Sequence, residues 1–499
     1  MKNKTHIFFS SIIILFLLIL QSVCLTAQTE VNRLTLEDVI YIAKQQSPDA
    51  LIAKHRFKRS YWEFRTYKAA YLPSLKLDGV IPNLNRSIDG ITQPDGSEVY
   101  KERSLASYSA EMSINQTIGF TGGSLFLSSG IQRLDNFGDS TVISYLSTPI
   151  NIGYSQPIFK YNPYKWDRKI EPLKYDEAKR TYLENVEQIL ITATNYFFNL
   201  LLAQIEKDIA KKNLHNYDTL YHIAKGRYNL GKIAENELLQ LELNLLKAQA
   251  SVDNSDLNYE NHLFMLKSYL RVKDDYEIVL IPPTKTWHTI IDVNKAIYEA
   301  KKNTSSGLAF ERRLLEAESQ VNKAKMDNRF DAELYAVFGL TQTSDDIIEA
   351  YRNPLDQQQV TLGVHLPILD WGLAKGNIKM AESSQELTKT SVEQEKIDFE
   401  QNIFLNVMQF NMQKNQLKIA AKSDTVAQKR FEVTQQRYLI GKINDVLELN
   451  NAQIDNDNAK KSYYSALHNY WRNYFELRKL TLYDFKKDRL ILFNINDIQ

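Results

Sequence analysis

The chain has 499 residues, 43% hydrophobic and 24% charged, with a formal net charge of +1 at pH 7. The composition is that of folded protein and the length exceeds one small core, so two domains or one repeated architecture are expected. The near-neutral balance argues against a surface built for nucleic acid or for an anionic membrane face.

Residues 1–27 read as a secretory signal peptide. Lys2 and Lys4 precede an apolar run from Ile7 to Leu20, and small and polar residues follow as far as Ala27. Removing them takes the net charge from +1 to −1, because two lysines and no acid are lost. Cys24, the one cysteine, lies in this segment, so no disulfide framework is expected; Gln21-Ser22-Val23 ahead of it fit a lipidation site poorly. Further on, no window of about 20 apolar residues occurs. Ile189–Ile205 comes nearest, but Thr192, Thr194, Asn195 and Asn199 interrupt it and it reads as a buried soluble helix. A mature chain that crosses a membrane must therefore do so as a closed β-barrel.

Thr35-Leu36-Glu37-Asp38 announces a first helix, with an N-cap and acids in the first turn, and Pro48 breaks or restarts it. A helical pattern over 51–70 ends at Tyr71-Leu72-Pro73-Ser74, after which Leu75 and Leu77 alternate with Lys76 and Asp78 as in a strand. Residues 79–150 hold much Gly and Ser and no helical stripe; two strands around a long loop are the economical reading, closing at Gln156-Pro157-Ile158-Phe159.

From about Asp167 to Leu270 a long helical hairpin is expected, turning at Arg227-Tyr228-Asn229-Leu230-Gly231-Lys232-Ile233. Its second arm carries Leu238, Leu241, Leu245, Ala248, Val252, Ser255, Tyr259, His262 and Leu266 at spacings of three and four, a coiled-coil period. His262 on that seam reads as a packing residue.

After Pro282-Pro283 the pattern starts again. Ile297-Tyr298 and Ala300-Lys301 repeat Ile40-Tyr41 and Ala43-Lys44 at an offset of 257, and strand-like residues from Leu334 end in Gly363-Val364-His365-Leu366-Pro367-Ile368. A second hairpin over about 374–480 turns at Arg437-Tyr438-Leu439-Ile440-Gly441-Lys442-Ile443, which matches the first turn at five of seven positions, 210 residues on. The division is thus signal peptide 1–27, first repeat 28–285, second repeat 286–485 and a tail, 486–499. Each half reads helix, strand, loop, strand, hairpin, giving an α+β chain with four strands. Four strands close no barrel, so several copies must pool them.

The order and duplication of these motifs resemble the TolC-type outer-membrane efflux factor family, over nearly the whole mature chain. The residues that carry the resemblance are the two Arg-Tyr-x-x-Gly tips, Tyr71-Leu72-Pro73-Ser74, Ser155-Gln156-Pro157-Ile158-Phe159, Pro367-Ile368-Leu369-Asp370-Trp371-Gly372 and Asn444-Asp445-Val446-Leu447-Glu448. The resemblance implies a homotrimer, with a twelve-stranded outer-membrane β-barrel continuous with a periplasmic α-helical tunnel. It also implies a periplasmic adaptor and an inner-membrane pump as partners, outer-membrane lipid around the barrel, and efflux of small molecules or type I protein secretion as the task. No enzyme activity, cofactor, metal or nucleic acid is expected.

By the same resemblance Tyr438 and Glu237 hold the tip entrance shut, while Ile443 stands where an assisting arginine is usual. Asp445 and Glu448 form an acidic ring, and Arg227, Tyr228, Gly231, Lys232, Arg437, Gly441 and Lys442 are the tip surfaces that meet the adaptor. A second account of Glu237, Asp445 and Glu448 stays open, because acids in the first turn of a helix are stabilised by its dipole. A coiled-coil scaffold that binds partners and conducts nothing is the competing function.

Overall fold

The computed structural model describes residues 31–138, 140–273, 277–284, 286, 290–442 and 446–494. The expected signal peptide with Cys24, and Ile443, Asn444 and Asp445 in the second tip, lie outside the described residues. In chain order the elements are β1 (Val31–Leu34), α1 (Leu36–Gln46), α2 (Pro48–Ala69), β2 (Ser74–Thr92), β3 (Glu98–Ile118), β4 (Gly123–Phe137) and β5 (Thr141–Ile158). Then come α3 (Pro163–Asn229), α4 (Glu235–Leu270), β6 (Glu277–Leu280), α5 (Val293–Asn303), α6 (Ser305–Asp327), β7 (Asp331–Ser344) and β8 (Leu355–His365). The chain ends with α7 (Leu373–Leu439), α8 (Val446–Thr481), β9 (Tyr483–Asp484) and β10 (Arg489–Leu490).

Local signals fix most of the helix starts. Thr35 caps α1 in a full capping box with Asp38, Ser47 accepts from the amide of Ala50 at the head of α2, and Pro48 occupies the first turn, where its missing N–H costs nothing. Asp292 caps α5 in the same way. The two long outgoing helices, α3 and α7, each have 67 residues, and the two returning helices, α4 and α8, each have 36. At 1.5 Å per residue the outgoing helices span about 100 Å and the returning ones about 54 Å.

One six-stranded antiparallel sheet contains β2-β3-β4-β5-β7-β8 in that order. This corrects the expectation of four strands: the stretch counted as the loop between two strands, although Ala110, Met112 and Ile114 alternate with polar residues and Leu125-Phe126-Leu127 reads as strand, forms β3 and β4, which pair over Ser104–Ile118 and Gly123–Phe137. The physical reason is composition. A strand with one wet and one apolar face carries only every second residue as signal, and the Ser and Gly on the wet face dilute it further. The strand β5 joins the halves by pairing with β7 from Tyr145↔Ser344 to Ile158↔Ala332. A small parallel pair, β1 with β6, is added where the chain returns to its start.

The main core lies midway along the helices. Ile189, Phe197, Phe198, Leu200 and Leu201 of α3 pack with Leu266 and Leu270 of α4, Tyr470 and Leu477 of α8, and Leu36 and Val39 of α1. Ile189–Ile205 is thus part of a helix packed in this core, and among the described residues no helix is long and apolar enough to cross a membrane. Beneath that core Glu187 is buried against Arg478 (2.8 Å), which also reaches Asp484 (3.6 Å). Burial raises the Glu187 carboxyl above its usual range, against the pull of Arg478. The helices run side by side in the order α4, α3, α8, α7.

Candidate functional site at the hairpin tips

Both tips are built from the same backbone device. In the first, the amide of Lys232 bonds to the carbonyl of Arg227 (2.9 Å) and that of Gly231 to Tyr228 (2.8 Å); in the second, Lys442 bonds to Arg437 (3.0 Å) and Gly441 to Tyr438 (3.0 Å). These are Schellman closures, which need a left-handed residue one past the helix end, and Gly231 (φ +66°) and Gly441 (φ +74°) supply it. The Arg-Tyr-x-x-Gly repeat is therefore the sequence of a helix stop. Ala234 leaves the head of α4 without a side-chain cap.

The side chains treat the two tips differently. Arg227 reaches from the end of α3 to the end of α7, where its Nη2 donates to the carbonyls of Tyr438 (3.1 Å) and Leu439 (2.9 Å), and its guanidinium lies 5.2 Å from the centre of the Tyr438 ring. It thereby gives the Leu439 carbonyl a donor, adds a second one to the Tyr438 carbonyl that Gly441 already bonds, and places a cation at the negative end of the helix dipole. Tyr438 is 1% exposed, whereas its counterpart Tyr228 is 39% exposed. Around Tyr438 pack Leu220, Ala224, Leu241, Phe431, Val446 and Leu449.

The Tyr438 hydroxyl is buried and has no hydrogen-bond partner among the described residues. Burial pushes its phenol above the ordinary value; Arg227 opposes this and the Glu237 carboxylate adds to it. Glu237, half-buried in the first turn of α4, is thus near enough to act on Tyr438 through space, yet no hydrogen bond joins them. Glu448 sits half-buried in the first turn of α8. Lys232, Arg437 and Lys442 are exposed at the extremity.

Above the tips the two hairpins are joined by a polar ladder that sequence reasoning missed. Tyr217 donates to Asn450 (2.9 Å), Asn213 to Asp457 (2.6 Å) and Gln453 to Asn213 (2.8 Å), all between α3 and α8. Lys461 pairs with Glu206 (3.1 Å), and His468 meets Asn195 (2.9 Å) while stacking on Phe198. The signal was present as Asn450, Gln453, Asp457, Lys461, Tyr464 and His468, polar or half-polar residues at spacings of three and four on one stripe of α8. Burial raises the Asp457 carboxyl and lowers His468 to about 4.

The architecture recurs in solved outer-membrane channels. The chain superposes on the Campylobacter jejuni CmeC outer membrane channel with a TM-score of 0.66 at 15% identity, covering 95% of this chain and 94% of that one. The Vibrio cholerae outer membrane protein VceC gives 0.63 at 13% identity, covering 90% and 95%, and the open-state MtrE channel of Neisseria gonorrhoeae gives 0.60 at 14%, covering 91% and 90%. No curated protein sequence matches the chain. The class is thus defined at the level of fold: a sheet continued by long helical hairpins, as in these solved outer-membrane channels. Residues 296–481, in the second half of the chain, match the model of the outer membrane efflux protein family.

Proposed function

We propose that three copies of this chain form a passive exit duct for efflux across the outer membrane, fed by a periplasmic adaptor and an inner-membrane pump. The observation that carries the reading is the two-faced sheet. Adjacent strands align Leu75, Ile114, Leu127, Ile152 and Phe338 in one row, each exposed in the single chain and ended by Gln358 on β8, while the next row is Lys76, Ser113, Ser128, Asn151, Gly339 and Gln357. One face suits lipid and the other a wet lumen. The helices support the same assembly: Leu405, Met412, Ile419, Val426 and Val433 of α7, with Ile440 at its C-cap, recur every seven residues and are 53–66% exposed. Such a stripe matches the exposed Leu243, Leu257 and Phe264 on α4 at the opposite side of a neighbouring copy.

In this reading the tips are the entrance. Arg227 on Tyr438 locks the two hairpins of one chain, and Arg437 and Tyr228 are placed to meet across the boundary between copies. Glu237, Asp445 and Glu448, repeated by three-fold symmetry, make the entrance favour cations. Exposed Lys232, Arg437 and Lys442 offer the adaptor its contacts. The two halves are structural repeats, each contributing one hairpin. Small molecules, ions or a type I secretion substrate are the cargo the duct serves.

The test is fractionation with planar-bilayer recording of the purified full chain. Trimers extracted from outer membranes that give single channels, with conductance raised in Arg227→Ala, support the duct. A monomer soluble in the periplasm would return the scaffold reading.

A further inference from the structure

Resting on the duct reading, we propose that the membrane barrel is closed from eighteen strands, six from each of three copies, by pairing β8 of one copy with β2 of the next. Three observations carry this. An apolar row crosses the inner strands, from Leu75 of β2 through Ile114 of β3, Leu127 of β4 and Ile152 of β5 to Phe338 of β7, before it meets Gln358 on β8. Strands lying outside the wall, in solvent or across the lumen, have no use for such a band. Second, β3 and β4 are each paired on both sides, through ladders interrupted only by irregularities at Val80–Asn83 and Ser128–Gly130, so neither is an edge that could peel away cheaply. Third, β2 and β8 are the two outer strands of the sheet, each with one partner in the chain. Unpaired backbone in the hydrocarbon costs several kcal/mol per group, so those edges must meet a partner. The strands alternate in direction across the sheet, so β2 and β8 run oppositely and join copies with the antiparallel sense kept.

The consequence is a wide exit. With strands about 4.8 Å apart and tilted about 40°, eighteen strands give a barrel about 36 Å across at the backbone and twelve give about 24 Å. After about 5 Å of side chain on each wall, the lumens are about 26 Å and about 14 Å. The membrane barrel then does not sieve by size what the helical entrance has admitted, so the duct suits polymeric cargo such as peptide chains as well as small solutes.

The decisive experiment combines disulfide trapping and polymer exclusion on the full chain. Leu75→Cys is paired in turn with Leu362→Cys, Val364→Cys and Leu366→Cys, and Leu125→Cys with the same three, in a background where Cys24, the chain's one cysteine, is replaced by Ser. Eighteen strands require disulfide-linked oligomers from a β2–β8 pair. They also require that a polyethylene glycol about 20 Å across, added on the extracellular side of wild-type channels, lowers conductance. Cross-linking of β4 to β8 instead, or exclusion of that polymer while one about 10 Å across enters, overturns the proposal and leaves the duct standing. A chain that neither inserts nor oligomerises overturns both.

Discussion

Replacing Arg227 by alanine isolates the contact that distinguishes the two tips. Its Nη2 is shared between the carbonyls of Tyr438 and Leu439, so the two contacts count as one bifurcated charged donor, about 1.5 kcal/mol net. The guanidinium over the Tyr438 ring adds about 0.5 to 1 kcal/mol at a half-exposed site. A loss of about 2 to 2.5 kcal/mol makes opening of the last turn of α7 about 30- to 70-fold more frequent. Hydrogen exchange reads this directly: the amides of Gly441 and Lys442, bonded to Tyr438 and Arg437, lose protection by that factor while amides of β3 and β4 do not change. Arg227→Lys recovers part of it, because a point cation keeps the dipole interaction and loses the fork. Arg437→Ala, whose side chain makes no ion pair or hydrogen bond among the described residues of its own chain, has little effect on isolated monomers. Protection at Gly441 within three-fold of wild type in Arg227→Ala refutes the reasoning.

Tyr438→Phe removes a buried hydroxyl that has no partner, so thermal stability is unchanged or slightly raised and single-channel conductance stays put; higher conductance in Tyr438→Phe combined with Glu237→Gln would restore a hydroxyl–carboxylate lock. His468, lowered to about 4 in the fold from an unfolded 6.5, is neutral in the fold where the unfolded chain is protonated. Stability is therefore lost as pH falls from 6.5 to 4, by at most about 3 kcal/mol, and His468→Gln removes that dependence in denaturant titrations at pH 7 and 4.5. Asp457, raised by burial, has the opposite sign: its contribution grows as pH falls through the carboxylate range, and Asp457→Asn abolishes it. On the sheet, Leu127→Arg on the apolar face costs about 2 to 4 kcal/mol and lowers the yield of folded barrel, whereas Ser128→Arg on the polar face folds and shifts ion selectivity in a salt gradient.

The helical part of this architecture was written plainly in the sequence because its signals are local. Thr35 and Asp292, the caps of α1 and α5, are 257 residues apart, as are Ser47 and Thr304 at the next helix starts, and the buried residues Leu241, Ala248, Ser255 and Leu266 fall on the seam read from spacing. The sheet was only half legible. A strand such as β3 has apolar residues at Met112 and Ile114 but Glu111, Ser113 and Asn115 beside them, so only every second residue carries the apolar signal. The pairing of β1 with β6 joins residues some 246 apart and leaves no local trace. The same holds for the tip: Arg227 is recognisable as a helix-end cation, but that it serves the end of α7 and not its own helix depends on how α3 and α7 are brought together.

That cross-connection explains how one repeated stretch can do two jobs. An isolated helix end satisfies its carbonyls with its own glycine and with water, and both tips do so through the same closure. Adding Arg227 to the second tip ties α7, whose outer stripe is free in the single chain, to α3, whose Phe197 and Leu200 are anchored in the core. In the proposed trimer, the helix that meets the next copy is thereby held from within at its extremity. Its stripe then docks as a preordered surface, and less conformational entropy is lost on assembly. Loosening Arg227 should thus weaken the assembly as well as the tip: at equal concentration, Arg227→Ala should dissociate from trimers at lower denaturant than Tyr438→Phe. Equal midpoints would show that the tip and the interface are energetically independent.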